Sequence, residues 1–122
     1  MDNRYRKEAG DRGEINALRH LQMAGLQLIE RNYRCRSGEL DLIMLEQQTL
    51  VFVEVRYRQD RQFGGAAASV NQGKQRRLLL AAQRFLQAHP QYQRHAARFD
   101  VVSLEGDEPF TKLQWLKDAF RS

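Results

Sequence analysis

Residues 39–57 read ELDLIMLEQQTLVFVEVRY. Two apolar runs flank a polar break at Gln47 and Gln48, the pattern of two strands joined by a tight hairpin. Strand side chains alternate between faces. Glu39, Asp41, Ile43 and Leu45 therefore share one face of the first strand, and Leu50, Phe52, Glu54 and Arg56 share one face of the second. A two-residue loop sets Leu45 opposite Leu50, Ile43 opposite Phe52, Asp41 opposite Glu54, and Glu39 opposite Arg56. Directly opposed residues hold their Cβ atoms roughly 4.5–5.5 Å apart. Two carboxylates then stand side by side at the end of an apolar face. Like charges so placed destabilise a sheet, and carboxylates rarely enter a core unpaired. A divalent cation would offset that cost, because hard cations such as Mg2+ take one or two carboxylates together with water and phosphate oxygens.

The register is a supposition. Gln-Gln lacks the Asn-Gly or Asp-Gly signature of a primed turn. A four-residue loop keeps the same partners, whereas an odd loop breaks them unless a bulge restores them. The plain alternative pairs Asp41 with a nearby arginine and turns Glu54 to solvent. Against it, the two acids point the same way as Ile43 and Phe52, and Glu39 with Arg56 continues the face.

Working outward, 122 residues suit one domain, and a core can be built at this length without staples. Lys and Arg number 20 against 15 Asp and Glu, a formal charge of +5, with a pI near 9.8. That balance suits a polyanionic partner. Cys35 stands alone, so no internal disulfide can form. The N-terminal stretch MDNRYRKEAGDRGE has no apolar core of a secretory signal, and no apolar run is long enough to span a membrane. The expectation is a cytoplasmic protein with no membrane contact.

Before the hairpin, residues 6–24 carry Ile15, Leu18, Leu21 and Ala24 at helical spacing, supported by Ala17, and Gly25 is a natural stop. Gly10 and Gly13 weaken the first turns. Glu14 lies at the edge of the apolar stripe, where an ordinary surface carboxylate is also expected. Residues 26–35 form a strand, and Arg36-Ser37-Gly38 turns the chain into the hairpin. That turn brings Arg31, Arg34 and Arg36 towards the carboxylates, either as forks for phosphate oxygens or as a solvated strand end. Cys35 has no histidine near it in sequence to act as partner base, which disfavours a nucleophile.

After the hairpin, residues 58–70 form the longest loop, with Gly64-Gly65 able to approach a ligand or simply to flex. Asn71 or Ser69 caps a helix that runs to about Ala88, with Leu78, Leu79, Ala82, Phe85 and Leu86 on its apolar side and Pro90 beyond its end. Its first turns hold Lys74, Gln75, Arg76 and Arg77. Basic residues there oppose the helix dipole unless an anion is near, and phosphate is one such anion. Exposed, they would cost little and need no explanation. His20, His89 and His95 have no metal-ligand spacing. Residues 97–104 form a further strand. Residues 111–116 form a short one, with Leu113 and Trp115 on one side, and residues 117–122 fray or make a last helical turn. The order is helix, three strands, helix, strand and a small addition: an α/β protein with helices over a central sheet. A right-handed crossover allows the strand after the second helix to run parallel to a neighbour.

GE-x-x-A at Gly13 to Ala17, RNYRCRSGELDLI at Arg31 to Ile43, FVEVRYR at Phe52 to Arg58, GKQRR at Gly73 to Arg77 and RFDVV at Arg98 to Val102 together resemble the YraN family of small bacterial proteins. The likeness runs from about Arg6 to Leu104. That family is grouped with the restriction-endonuclease-like, PD-(D/E)XK nucleases, which include Holliday-junction resolvases. The resemblance implies an αβββαβ core with a mixed central sheet flanked by helices. It implies that Asp41 and Glu54 bind Mg2+ or Mn2+, that Glu14 completes the metal set, and that the backbone carbonyl of Val55 is a further ligand. The usual catalytic lysine position holds Arg56, a departure from the pattern. Arginine stays protonated and cannot be a general base, but it can hold a phosphate. The resemblance implies that Lys74 or Gln75, at the start of the next helix, fills the missing role. Resolvases of this fold work as dimers, so a homodimer is an implied state, although no apolar stripe is clearly left over for it.

Three functions follow from these residues. The first is a Mg2+-dependent endonuclease acting on DNA, including branched or otherwise structured DNA. In it Asp41, Glu54, Arg56 and Lys74 are catalytic, and Arg34, Arg36, Gln75, Arg76 and Arg77 contact nucleic acid. The second is a nucleic-acid-binding protein of the same fold that has lost catalysis with its lysine. The third is a protein-interaction module, which gives no reason for opposed carboxylates beside Ile43 and Phe52.

Overall fold

The hairpin at residues 39–57 forms, and the sheet is built outward from it. In a computed structural model, which describes residues 3–58, 70–106 and 111–121, helix α1 (Asn3–Met23) leads into strands β1 (Gln27–Cys35), β2 (Gly38–Glu46) and β3 (Thr49–Arg58). Helix α2 (Gln72–Ala88), a short 3-10 turn (Pro90–Tyr92) and strands β4 (Ala96–Glu105) and β5 (Lys112–Phe120) follow. Of the loop expected at residues 58–70, Arg58 belongs to β3 and Val70 is buried, while residues 59–69, with Gly64-Gly65 and the alternative cap Ser69, fall outside the described residues.

The five strands lie in sequence order, β1-β2-β3-β4-β5. β1, β2 and β3 are mutually antiparallel neighbours, β4 runs parallel to β3, and β5 is antiparallel to β4. The parallel step follows from α2, which carries the chain back before β4 begins. This is an α/β fold with a mixed sheet and two helices, consistent with a restriction-endonuclease-like core.

The β2–β3 register pairs Leu45 with Leu50 and Ile43 with Phe52, as the two-residue loop requires. Gln47 closes that loop at φ 54, in the left-handed region usually left to glycine or asparagine. The ladder stops at Leu42–Val53, one pair short of Asp41 and Glu54. The expected pairing of Glu39 with Arg56 therefore does not form. Glu39 stays with β1 instead, opposite Arg34, whose Nε is 3.6 Å from its Oε1.

The sheet separates two cores. On the α2 side Leu40, Ile43, Leu50, Phe52 and Val101 meet Leu78, Ala82 and Phe85. Phe85 is fully buried and packs edge-on to both Tyr33 and Phe52. On the α1 side Leu42, Met44, Val51, Val53 and Val102 meet Ala17 and Leu21. Leu40 and Ile43 share a core although three residues apart, so strict alternation breaks at Asp41. Opposite that break, Asn32 of β1 takes φ 53.

Two expectations are corrected. Ile15 and Ala24 are exposed, because α1 meets the sheet along Gly13, Ala17 and Leu21, one turn apart, with Leu18 at the margin. Gly13 costs helix propensity but also has a packing role: its missing side chain lets α1 approach the sheet, and a Cβ there would lie 3.1 Å from Leu104 Cδ1. Residues 117–120 neither fray nor coil into helix. β5 continues through them because buried Asp100 accepts from the Trp115 indole N–H and the Asp118 backbone N–H, each at 2.9 Å. Gly25, at φ 102, ends α1 as expected.

Candidate metal and phosphate site

The break in the ladder makes the site. Beyond Leu42–Val53 the Val55 N–H has no β2 carbonyl to meet, and it donates to Asp41 Oδ2 at 2.8 Å. The Asp41 carboxyl thereby turns across the gap to β3. Glu54 lies on the face of β3 that carries Leu50 and Phe52, towards α2. Asn71 caps α2, its Oδ1 accepting from the Lys74 N–H at 2.9 Å. The first turn so fixed delivers Lys74 Nζ to 2.6 Å from Glu54 Oε1. Arg56 Nη1 lies farther off, at 3.8 Å from the same oxygen. The anion that compensates the basic start of α2 is thus the chain's own Glu54.

These groups line a cavity of about 230 Å3 bounded by Gly38, Glu39, Asp41, Glu54, Lys74 and Arg77. The Glu54 side chain is only 6% exposed. Asp41 is half-buried, and its carboxyl is pushed up to about 8, first by burial and then by the charge of Glu54, with Glu14 adding to it. The Val55 N–H works in the opposite direction. Asp41 is thus a carboxyl held against its own ionisation first by burial and then by two acids from other elements.

Glu14 approaches from α1, but its Oε1 is taken by Arg31, whose Nη2 and Nε lie at 3.1 and 3.3 Å. Among the described residues, no group of three or more His, Cys, Asp or Glu stands ready-made to hold a metal ion. A Mg2+ site does not require one: two carboxylates with waters and a phosphate are enough. The chemistry of the donor set fits a hard cation, because Asp41 and Glu54 repel each other in a cavity open to solvent. Asp41 and Glu54 would hold the ion, with Glu14 joining when released from Arg31.

The remaining expected residues divide. Arg77 lines the cavity. Arg34, Arg36 and Arg76 are exposed, and of these Arg34 pairs with Glu39 of the lining. Gln75 turns away, its amide donating to the Val70 carbonyl at 2.9 Å. Val55 contributes its N–H to the site. Sequence reasoning missed the Arg31–Glu14 pair, which joins residues far apart in the chain. It also missed Arg84, whose Nε reaches Ser37 Oγ at 3.3 Å and ties α2 to the β1–β2 turn.

The pattern of the family described as uncharacterised protein family UPF0102 matches residues 13–104. Similar proteins include a UPF0102 protein of Pseudomonas putida (strain GB-1), 55% identical over 113 residues, covering 92% of each chain. One of Stutzerimonas stutzeri (strain A1501) is 50% identical over 116 residues, 95% of this chain and 97% of the relative. One of Alcanivorax borkumensis is 49% identical over 120 residues, 98% and 96%. The matched span holds Glu14, Asp41, Glu54, Arg56 and Lys74.

Proposed function

The chain belongs to the UPF0102 family, the YraN family that its motifs resemble, and from the geometry of its site we propose that it is a Mg2+-dependent endonuclease acting on DNA, including branched or structured DNA. The observation that carries this reading is the Asp41–Glu54 carboxylate pair, set against Lys74 in an open cavity within a basic protein.

Asp41 and Glu54 would hold Mg2+ or Mn2+, with Glu14 and the Val55 carbonyl as the further ligands that the family resemblance implies. When bound, the ion lowers the pKa of a water and offsets charge on the scissile phosphate. Lys74, whose ammonium faces the cavity, holds that phosphate. Arg56 remains protonated and stabilises negative charge as it develops, without serving as a base. Val55 keeps Asp41 oriented through its N–H. Arg34, Arg36, Arg76 and Arg77 contact the nucleic-acid backbone around the cavity, which makes binding salt-sensitive. Gln75, bound to Val70, serves by bracing the start of α2. No helix of the described residues is long and apolar enough to cross a membrane.

One observation favours a second reading. The Lys74–Glu54 contact already neutralises the buried acid, as a structural ion pair would. On that reading the chain binds nucleic acid without cleaving it.

The test is incubation with supercoiled, single-stranded and four-way-junction DNA in Mg2+ or Mn2+, alongside Asp41→Asn. The nuclease reading expects metal-dependent cleavage of at least one substrate by the wild type and none by the variant. Binding of DNA without cleavage of any substrate supports the second reading.

A further inference from the structure

Arg31 occupies an unusual place beside this site. It lies on β1 opposite Leu42, next to the break at Asp41, and reaches across to Glu14 on α1. Both its Nε and its Nη2 converge on one oxygen, Glu14 Oε1. The Glu14 side chain is 12% exposed and that of Arg31 is 36% exposed. The acid is therefore nearly enclosed, while the guanidinium keeps a face to solvent. Glu14 is also close enough for its charge to bear on Asp41. Arg31 thus stands as the cation on the third carboxylate of the site.

A guanidinium fork matches a phosphate as well as it matches a carboxylate. Arg31 cannot give both N–H groups to Glu14 and to a phosphate at once. A cation entering beside Asp41 and Glu54 competes with Arg31 for Glu14, and a phosphate arriving at the surface competes with Glu14 for Arg31. Each event favours the other.

We propose that Arg31 is a positioning residue that exchanges Glu14 for a phosphate of the nucleic-acid backbone, so that backbone binding and divalent-cation binding strengthen one another. This rests on the reading of Glu14, Asp41 and Glu54 as a cation site. The coupling is reciprocal by linkage, the same factor acting in both directions. The guanidinium keeps a face to solvent, which screens the pair, so the factor is modest, about two- to fivefold.

The test titrates the full chain with Mn2+ by calorimetry, with and without a short DNA duplex. In parallel it titrates the duplex by fluorescence anisotropy, with and without Mn2+ at fixed ionic strength. In the wild type, duplex tightens Mn2+ about two- to fivefold, and Mn2+ tightens duplex by the same factor. Arg31→Gln binds Mn2+ alone more tightly, binds duplex more weakly, and shows no coupling. Glu14→Gln binds Mn2+ more weakly, binds duplex alone more tightly because Arg31 has lost its competing carboxylate, and also shows no coupling. Arg31→Lys retains part of the effect. Opposite shifts in Mn2+ affinity from the two ends of one ion pair cannot arise from misfolding. Coupling that persists in Arg31→Gln, or Mn2+ binding that weakens in it, overturns the exchange and leaves the site intact. Wild-type protein that takes up no Mn2+, or takes it up unchanged in Asp41→Asn, overturns the site reading and the exchange with it.

Discussion

The backbone N–H of Val55 donates to Asp41 Oδ2 at 2.8 Å, just past the last β2–β3 ladder pair. A side chain replaces the missing ladder bond, so Asp41 has a structural task besides any chemistry. Asp41→Ala leaves that N–H part-buried without its acceptor and is expected to lose about 1–3 kcal/mol. Asp41→Asn keeps an oxygen for the N–H and removes a charge next to Glu54. It is expected to be at least as stable as wild type at pH 8. Urea denaturation of both variants checks this; equal loss in the two would mean that the hydrogen bond is not what Asp41 contributes.

The same residue sets a pH dependence. Its carboxyl is pushed up to about 8 in the folded chain, against about 3.9 in an unfolded one. Between those values the folded state binds more protons than the unfolded state. The contribution of Asp41 is therefore fully present below about pH 4 and is lost as pH rises through about 8. The loss is on the order of a few kcal/mol. Glu46, lowered by its hydrogen bond to Arg98, acts the other way and only below the ordinary glutamate range. Thermal melts in chelator from pH 5 to about pH 9 should decline for wild type and flatten for Asp41→Asn. Under the metal-site reading, Mg2+ restores the high-pH end in wild type alone. A variant that declines as steeply as wild type would remove Asp41 as the cause.

The hairpin was legible because two apolar runs and a polar pair leave few registers that keep Ile43 and Phe52 on one face. The capping by Asn71 and the stop at Gly25 were legible for the same local reason. Periodicity assumes an unbroken ladder, however, so it could not reveal that pairing stops before Asp41 or that Leu40 joins the core of Ile43. Glu39 went to Arg34 rather than Arg56 because β2 remains paired with β1 where it has left β3. The length of β5 depends on Asp100, buried on the neighbouring strand, and no pattern within residues 111–122 announces it. Ile15 looked like core because spacing alone does not say which of two adjacent stripes meets the sheet. Sequence and resemblance singled out Asp41, Glu54 and Lys74, which line one cavity, although Asp41 and Glu54 are not paired in the ladder. The Arg31–Glu14 pair was not legible, since only the folded chain brings α1 and β1 together.

Lys74 and Glu54 offer a second energetic test. Glu54 is 6% exposed on its side chain and Lys74 30%, so removing the lysine leaves a nearly buried carboxylate whose remaining ion-pair partner among the described residues is Arg56, at 3.8 Å. Lys74→Met is expected to lose roughly 1–3 kcal/mol, below the usual cost of breaking a fully buried pair because the lysine is partly solvated. Glu54→Gln in the same chain should recover most of it. A double-mutant cycle measures the coupling directly. Additive single-mutant effects would show that the 2.6 Å contact carries no net stability.

Arg77 lines the cavity and stands on the helix turn after Lys74. If it contacts a backbone phosphate, Arg77→Gln weakens binding of every DNA duplex about equally and lowers the salt slope by about one. Titrations at several salt concentrations read this. An unchanged slope would take Arg77 out of the phosphate contacts.

Gly13 couples packing to the site. A Cβ built there meets Leu104 Cδ1 at 3.1 Å and Tyr57 Cδ2 at 3.5 Å. Leu104 is 1% exposed, so it has little room to move. Gly13→Ala sets a helix-propensity gain of up to about 1 kcal/mol against that contact, and the two nearly cancel. Gly13→Val adds two methyl groups where the contact is already tight, and overpacking of this kind costs typically about 1–3 kcal/mol. The strain is relieved most simply by lifting α1 from the sheet, and Glu14 is the next residue on that helix. Gly13→Val is therefore expected to weaken Mn2+ binding as well as stability, whereas Gly13→Ala leaves both close to wild type. Melting temperature and Mn2+ affinity measured on the same preparations separate the two effects. Full Mn2+ affinity in a destabilised Gly13→Val would mean that Glu14 does not reach the cation.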